Sequence, residues 1–426
     1  MSRIPIAAVV LVFTASCVDA ASAFADVVLD WNVIALKTTA AAPFNPPLET
    51  RNLAIVHAAM FDAVNSIVGD SPGYVVRLRA PAHASAEAAG VAAARVTLVT
   101  LYPEQQSMLD AAYAAFLNRI PGGSARDSGV RIGEAVARRI LTVRASDGAM
   151  AAIKAAYFPG RRPGDWIPTP PASLPALDPG WGEVRPFVLR DGSQFRPGPP
   201  PALHGKRYAR DFEEIKKIGS STSGTRRPEQ TDLARFWITT AAQNWNPVAR
   251  QVSIAHGLTL LQNARAFALL NLAGADAFIA AWDAKFAYNQ WRPVTAIRAA
   301  DTDGNASTAA DPTWTPLLAT PPFPDYIAGH TTYAGAAQAV LERVFGEDPG
   351  AVITLTSPTA PGVVKTYMTF KDIADGVVNA RVWGGVHWRT SSVQGRVVGG
   401  ELGRYVVRHF PGPSHLRTVA PSDRTR

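Results

Sequence analysis

PVARQVSIAHGLTLLQNARAFALLNLAGADAFIAAWDAKFAYNQWRP, residues 247–293, decides the fold. Apolar residues recur over 247–272 with the spacing of an amphipathic helix, and the pattern runs on through 273–290. Pro247 suits the first turn of that helix, where its missing N–H costs nothing. Pro293 then ends or kinks it. Lys285 and Arg292 stand seven apart, two helical turns, which would put both cations on one face.

Working outward, helical patterns dominate. Thr50 or Glu49 opens RNLAIVHAAMFDAVNSIV, and 84–101, 105–119 and 126–145 repeat the spacing, with Pro103 between the first two of these three. The same reading covers 204–217, 229–244, 330–345, 369–384 and 391–409. Strand-like alternation is confined to Val352–Thr356 and Val363–Thr369. Residues 158–203 are rich in Pro, Gly and Trp, lack a period and are too long for an ordinary loop. They read as an ordered excursion packed on the helices, a lid or rim. The expected fold is mostly α, a helical bundle with a Pro-rich irregular insertion. Its parts are a signal peptide at 1–25, an N-terminal helical part at 26–157, the excursion at 158–203, a helical core at 204–411 and a mobile basic tail at 412–426.

Hydrophobic residues at 47% and charged residues at 18% mark a globular chain and not a disordered one. A net charge of +8 favours anionic partners, but no dense Lys/Arg run or aromatic-interleaved basic stripe supports nucleic-acid binding. Arg3, the apolar run Ile4–Phe13 and the Ala23-Phe24-Ala25 cleavage pattern before Asp26 indicate export, to the periplasm or the medium. Cys17 is the one cysteine; lipidation there is the alternative to cleavage after Ala25. After cleavage no disulfide could form. No later segment reads as an unbroken apolar run long enough to span a bilayer. The sequence carries no signal for oligomeric state.

The chemistry concentrates in KFAYNQWRP (285–293), FPDYIAGH (323–330) and ARVWGGVH (380–387). Lys285, Arg292 and Arg381 supply a point charge and two planar forks, a receptor for a multivalent oxyanion. Gly329 lets backbone approach a ligand closely, and His330 follows it at a loop-to-helix junction, where free N–H groups and the helix dipole favour an anion. Gly384-Gly385 lies between Arg381 and His387 and suggests a helix that ends and turns back toward the same place.

These segments resemble the acid phosphatase and vanadium-dependent haloperoxidase superfamily, which includes the type 2 phosphatidic acid phosphatases. The family pattern is K-x6-R-P, then P-S-G-H, then S-R-x5-H-x3-D. Here K-x6-R-P is complete at Lys285, Arg292 and Pro293, with G-H at Gly329 and His330 and R-x5-H at Arg381 and His387. LDWN (29–32), AIVHAAMFDAVN (54–65) and 282–345 extend the likeness to bacterial haloperoxidases, strongest after residue 229. The resemblance implies that Lys285, Arg292, Arg381 and the Gly329 amide hold the equatorial oxygens. It makes His387 the protein ligand to vanadium, or the nucleophile on phosphorus, and His330 the acid–base partner. Trp282 and Phe323 match aromatic pocket walls of fungal chloroperoxidases, and HWR at 387–389 is similar too.

Three positions depart from the pattern: Ala328 stands for the Ser of P-S-G-H, whose Pro is Ile327, Ala380 for the Ser before Arg381, and Ser391 for the Asp four after the last His. Ala328 removes a hydroxyl donor, and Ser391 cannot supply the charge that orients His387. Three functions follow. The resemblance implies a haloperoxidase with vanadate as cofactor and hydrogen peroxide and halide as small-molecule substrates. The same pocket suits an acid phosphatase with a phosphate ester as substrate, a His387 phosphohistidine intermediate and no cofactor. The three losses suit a noncatalytic oxyanion-binding relative. Elsewhere His57 and His256 read as satisfied core histidines, DTDGN (301–305) as a turn lacking the acid of a calcium loop, SSTSGT (220–225) as a flexible connector, and Asp232 or Glu229 as partners for a site arginine.

Overall fold

The computed structural model describes residues 26–69 and 71–410. The signal segment, Cys17 and the basic tail lie outside the described residues. Fourteen α-helices carry the fold among those described: α1 (Val27–Ala41), α2 (Pro46–Val68), α3 (Ala86–Leu101), α4 (Gln106–Leu117), α5 (Ser124–Arg144), α6 (Ala149–Ile153), α7 (Lys206–Ile218), α8 (Pro228–Phe236), α9 (Ala241–His256), α10 (Leu260–Tyr288), α11 (Pro293–Arg298), α12 (Gly329–Phe345), α13 (Phe370–Trp383) and α14 (Arg389–His409). One antiparallel hairpin, β1 (Ile353–Thr356) with β2 (Val364–Tyr367), falls where the alternation placed it.

Helix α10 is the axis. It packs against α2, α9, α12 and α14. It is long and apolar enough to cross a membrane by length and composition, though charged residues interrupt it, and 94% of its most apolar stretch is buried inside the protein. That burial makes it a core helix apolar on all sides. Its start is set by Thr259, whose hydroxyl accepts from the Gln262 amide while the Gln262 side chain returns to the Thr259 N–H, a capping box. Gly257, at φ +60, ends α9 just before it, so 247–272 is two helices and not one. Pro247 consequently lies inside α9 and not in a first turn.

Helices α12 and α14 make the closest pairing. A Cβ at Gly399 would fall 1.9 Å from the Thr332 carbonyl oxygen, and one at Gly335 would fall 2.1 Å from the Arg396 oxygen. Only glycine admits backbones this close.

The excursion 158–203 has two short 3₁₀ turns, Trp181–Glu183 and Gly192–Phe195, and is tied to α10. The buried Asp276 carboxylate accepts three successive backbone N–H groups, from Phe187, Val188 and Leu189, at 2.6, 2.8 and 3.0 Å. Arg196 makes a two-pronged ion pair with Asp283, and Trp282 Nε1 donates to the Leu177 carbonyl. Residues 220–225 are likewise held and are no free connector: Ser221 N donates to Thr315 O, and Arg226 donates to Ile218 O and Ser220 O.

Candidate active site

Lys285 and Arg292 do meet, but not on one helix face. Helix α10 stops at Tyr288, with Asn289 in the left-handed conformation as its cap, and Arg292 is the residue before α11, whose first position is Pro293. The Lys285 ammonium donates to the carbonyls of Pro324 and Asp325 at 2.9 and 2.8 Å. The Arg292 guanidinium donates to Phe323 O at 2.7 Å and Val386 O at 2.6 Å. Both cations are thus strapped to the loop before α12. Arg381 comes from the last turn of α13 and donates to Trp237 O at 3.2 Å.

His387 follows the turn at Gly384-Gly385, where Gly385 adopts φ +76. Behind it, Trp388 enters a second apolar cluster with Tyr208, Phe212 and Trp291, and Arg389 pairs with Glu214 at 2.6 Å. The HWR segment therefore pins the imidazole from its C-terminal side. Arg292 Nη1 approaches His387 Nε2 at 3.1 Å, and the other ring nitrogen, Nδ1, lies 3.2 Å from Asp325 Oδ2. His330 is the second residue of α12, and its Nε2 pairs with the Thr239 carbonyl at 3.0 Å. Gly329 leaves room for an aromatic neighbour, since a Cβ there would lie 3.2 Å from the Trp282 ring.

Trp282 and Phe323 wall the cations. Their ring centroids are 4.8 Å apart, with Lys285 Nζ 5.0 Å from the Phe323 centroid and Arg292 Cζ 4.7 Å from it. These are cation–π contacts in a desolvated setting. Lys285 and Arg292 are fully buried, and His387 and Arg381 are 1% and 3% exposed, whereas His330 is partly exposed.

Asp325 is the residue of the cage that sequence reading missed. It lies inside FPDYIAGH and is fully buried, with Arg292 Nη1 4.0 Å from its Oδ2. Ser391, at the place where the family pattern has a carboxylate, donates its hydroxyl to the Asp325 carbonyl at 3.2 Å. The acid at the site thus comes from the loop before α12, and not from Asp232 or Glu229. Glu229 pairs with Arg227 at the surface. The available signal was an acidic residue in an otherwise apolar, buried segment. Ala328 and Ala380 are fully buried, and Ala328 caps α12 with no side-chain bond.

Three cations face one carboxylate in a dry cage, and the proton affinities follow from that. Burial, with Arg292 adding to it, holds Lys285 well below the ordinary lysine range. Burial presses Arg292 down to about 9 and Arg381 to about 10, with the Asp325 charge opposing. Burial, then the Arg292 charge, keeps His387 neutral, and burial with Arg381 lowers His330 to about 3. Asp325 is raised to about 6 by burial, against Arg292 and Lys285. Two buried donor nitrogens in the cage, Arg292 Nη2 and Arg381 Nε, have no partner. Orphaned guanidinium donors amid excess positive charge fit a tetrahedral or trigonal oxyanion. Among the described residues no three His, Cys, Asp or Glu side chains gather as ligands for a bare cation.

Known proteins resemble the chain in sequence and fold. Residues 265–412 match the family model of the VCPO second helical-bundle domain. The vanadium chloroperoxidase of Curvularia inaequalis is 25% identical over 403 residues, 75% of this chain and 65% of its own length. The crystal structure of a bacterial vanadium-dependent iodoperoxidase superposes with a TM-score of 0.77 at 26% identity, covering 90% of this chain and 95% of that one. A holo-type bacterial vanadium-dependent chloroperoxidase shares the fold, with a TM-score of 0.70 at 19% identity, over 87% and 94% of the two chains. The chain is thus similar in sequence and fold to vanadium-dependent haloperoxidases, and its residues 265–412 match the VCPO second helical-bundle domain.

Proposed function

We propose that the protein is an exported haloperoxidase that holds vanadate and oxidises halide with hydrogen peroxide. The observation that carries this is the closed cage: three buried cations with orphaned guanidinium donors around a neutral histidine. Lys285, Arg292, Arg381 and the first amides of α12 would hold the oxygens, and His387 Nε2 would be the protein ligand. Bound vanadate supplies Lewis-acid activation of peroxide, with the balance halide plus hydrogen peroxide plus a proton giving hypohalous acid and water. The chain's residues do the rest. Nδ1 is the ring nitrogen beside the Asp325 carboxylate, 3.2 Å from Oδ2, and Nε2 would turn its lone pair from Arg292 Nη1 to the ligand. His330 donates Nε2–H to Thr239 O, which leaves Nδ1 as its acceptor for a proton at the cage mouth. Trp282 and Phe323 exclude water. Ala328 subtracts one donor from the oxyanion without touching the five principal groups.

Four of those five groups are at most 3% exposed, which favours small inorganic reactants over a bulky phosphate ester. Vanadate titration by calorimetry, peroxide-dependent bromide oxidation and phosphate-ester hydrolysis, all on one preparation, test the reading. Tight vanadate binding and bromide oxidation, both lost in His387→Ala, are expected. Oxidation that survives His387→Ala overturns it, and hydrolysis with a trappable phosphohistidine replaces it with the phosphatase. Export would be read by N-terminal sequencing of the mature protein, which should begin at Asp26.

A further inference from the structure

The segment between α8 and α9 has two sides. On one, the carbonyls of Trp237 and Thr239 are taken by Arg381 and His330 of the cage. On the other, Ile238, Thr239 and Thr240 line a cavity of about 590 Å³. One peptide layer therefore separates this cavity from His330, the one principal cage residue that is partly exposed. The volume lies within the range of about 300–1,000 Å³ typical of small-molecule sites.

The walls are mainly apolar, with Phe44, Leu48, Leu101 and Ile153 opposite Ile238. Phe44 is 69% exposed and Ile238 39%, so large apolar side chains stand open at the mouth. Two carboxylates interrupt them, the exposed Glu104 and the buried Glu49. Glu49 is 7% exposed; Thr39 Oγ1 at 3.0 Å and Gln243 Nε2 at 2.7 Å donate to its Oε1, and the Thr240 hydroxyl stands beside the carboxyl as a third donor. Oε2 retains acceptor capacity toward a ligand donor. A buried acceptor at one end of an apolar slot selects an apolar body bearing a hydrogen-bond donor.

We propose that this cavity seats the organic acceptor of the oxidised halogen, a phenolic aromatic of two or three rings with its hydroxyl on Glu49. The proposal rests on the haloperoxidase reading and deepens it. Hypohalous acid that leaves the cage on the His330 side would have to pass around the 237–240 segment to meet the ring beside Thr239. There the ring carbon forms a carbon–halogen bond as the oxygen–halogen bond breaks, and the displaced ring proton leaves with the hydroxide as water. An electron-rich phenol hydrogen-bonded to a carboxylate is the substrate class suited to that attack.

The probe is 2-naphthol, whose binding to the mature protein is followed by its own fluorescence without vanadate or peroxide. Saturable binding is expected, weakened at least tenfold by Ile153→Trp, which fills the slot, and by Phe44→Ala, which removes an exposed wall. Glu49→Gln should weaken 2-naphthol and leave naphthalene unchanged. In the vanadate-loaded enzyme, Ile153→Trp should raise the KM for 2-naphthol bromination and leave bromide oxidation without acceptor at the wild-type rate. No binding by the wild type, or equal binding by the three folded variants, overturns the proposal whatever the halide assay shows. Absence of bromide oxidation by the loaded wild type sinks the haloperoxidase reading instead, and with it the acceptor role, even where naphthol binds.

Discussion

At His387, Arg292 Nη1 lies 3.1 Å from Nε2 and 3.5 Å from Nδ1, and Asp325 Oδ2 lies 3.2 Å from Nδ1. A carboxylate behind a ligating imidazole fixes tautomer and ring angle, and losing such a partner typically costs about 10–100-fold in affinity. Asp325→Asn should therefore weaken vanadate binding by about that factor, measured by calorimetry. Asp325→Ala with Ser391→Asp should recover part of it, because the second change returns a carboxylate to the family position; a double variant no better than Asp325→Ala alone would deny Asp325 this role. Ala328→Ser should tighten vanadate by about tenfold, the worth of one charged hydrogen bond; unchanged affinity would show that residue 328 does not face the anion. The cations and imidazoles were legible because their spacing is local. Asp325 was not, because its partner arrives from the far side of α13, and a lone acid in FPDYIAGH has no spacing rule to announce it.

Among the elements, the excursion 158–203 owes its order to polar anchors more than to periodicity. Asp276→Ala would strand three buried N–H groups and should cost about 3 kcal/mol or more in denaturant unfolding, with fluorescence changes localised to the 181–189 segment; a loss below about 1 kcal/mol would show that water replaces the carboxylate there. Long helices were legible from their stripes, but their breaks were not always. The 229–244 pattern is cut at 237–240 because Arg381 and His330 claim the backbone carbonyls there, a tertiary demand invisible to a helical period. That cut moves the start of α9 to Ala241 and leaves Pro247 inside it, at a site where proline usually weakens a helix. The break before α10 was legible in principle, since Gly257 and the Thr259–Gln262 pair are standard stop and start signals. Helix α1 escaped the periodicity because its buried face carries the polar Asn32, Thr38 and Thr39 while the apolar Val33 and Ile34 lie off that face, with Asp26 as the missed cap.

For the whole molecule, His57 on α2 gives a handle on pH. It is fully buried, accepts from Asn32 Nδ2 at 3.0 Å, and is held down to about 3 by burial and the Arg250 charge. The folded state therefore keeps it neutral while the unfolded chain takes up a proton below about 6.5. Its contribution is fully present above that pH and falls as pH drops toward 3, by up to about 1.4 kcal/mol per pH unit. His57→Gln retains an acceptor for Asn32 and does not titrate. The stability difference between wild type and variant should narrow or invert as pH is lowered from 7 to 4, measured by urea unfolding; a pH-independent difference would refute the assignment.

The glycine contacts between α12 and α14 have a metrological consequence. His330 is the second residue of one of these helices and His387 stands two residues before the first of the other. Because the helices touch backbone to backbone, the gap between the two imidazoles is gauged by main-chain dimensions, as the jaws of a calliper are set by its beam. Hydroxyls near the jaws, such as those replaced at Ala328 and Ala380, can come and go without recalibrating it.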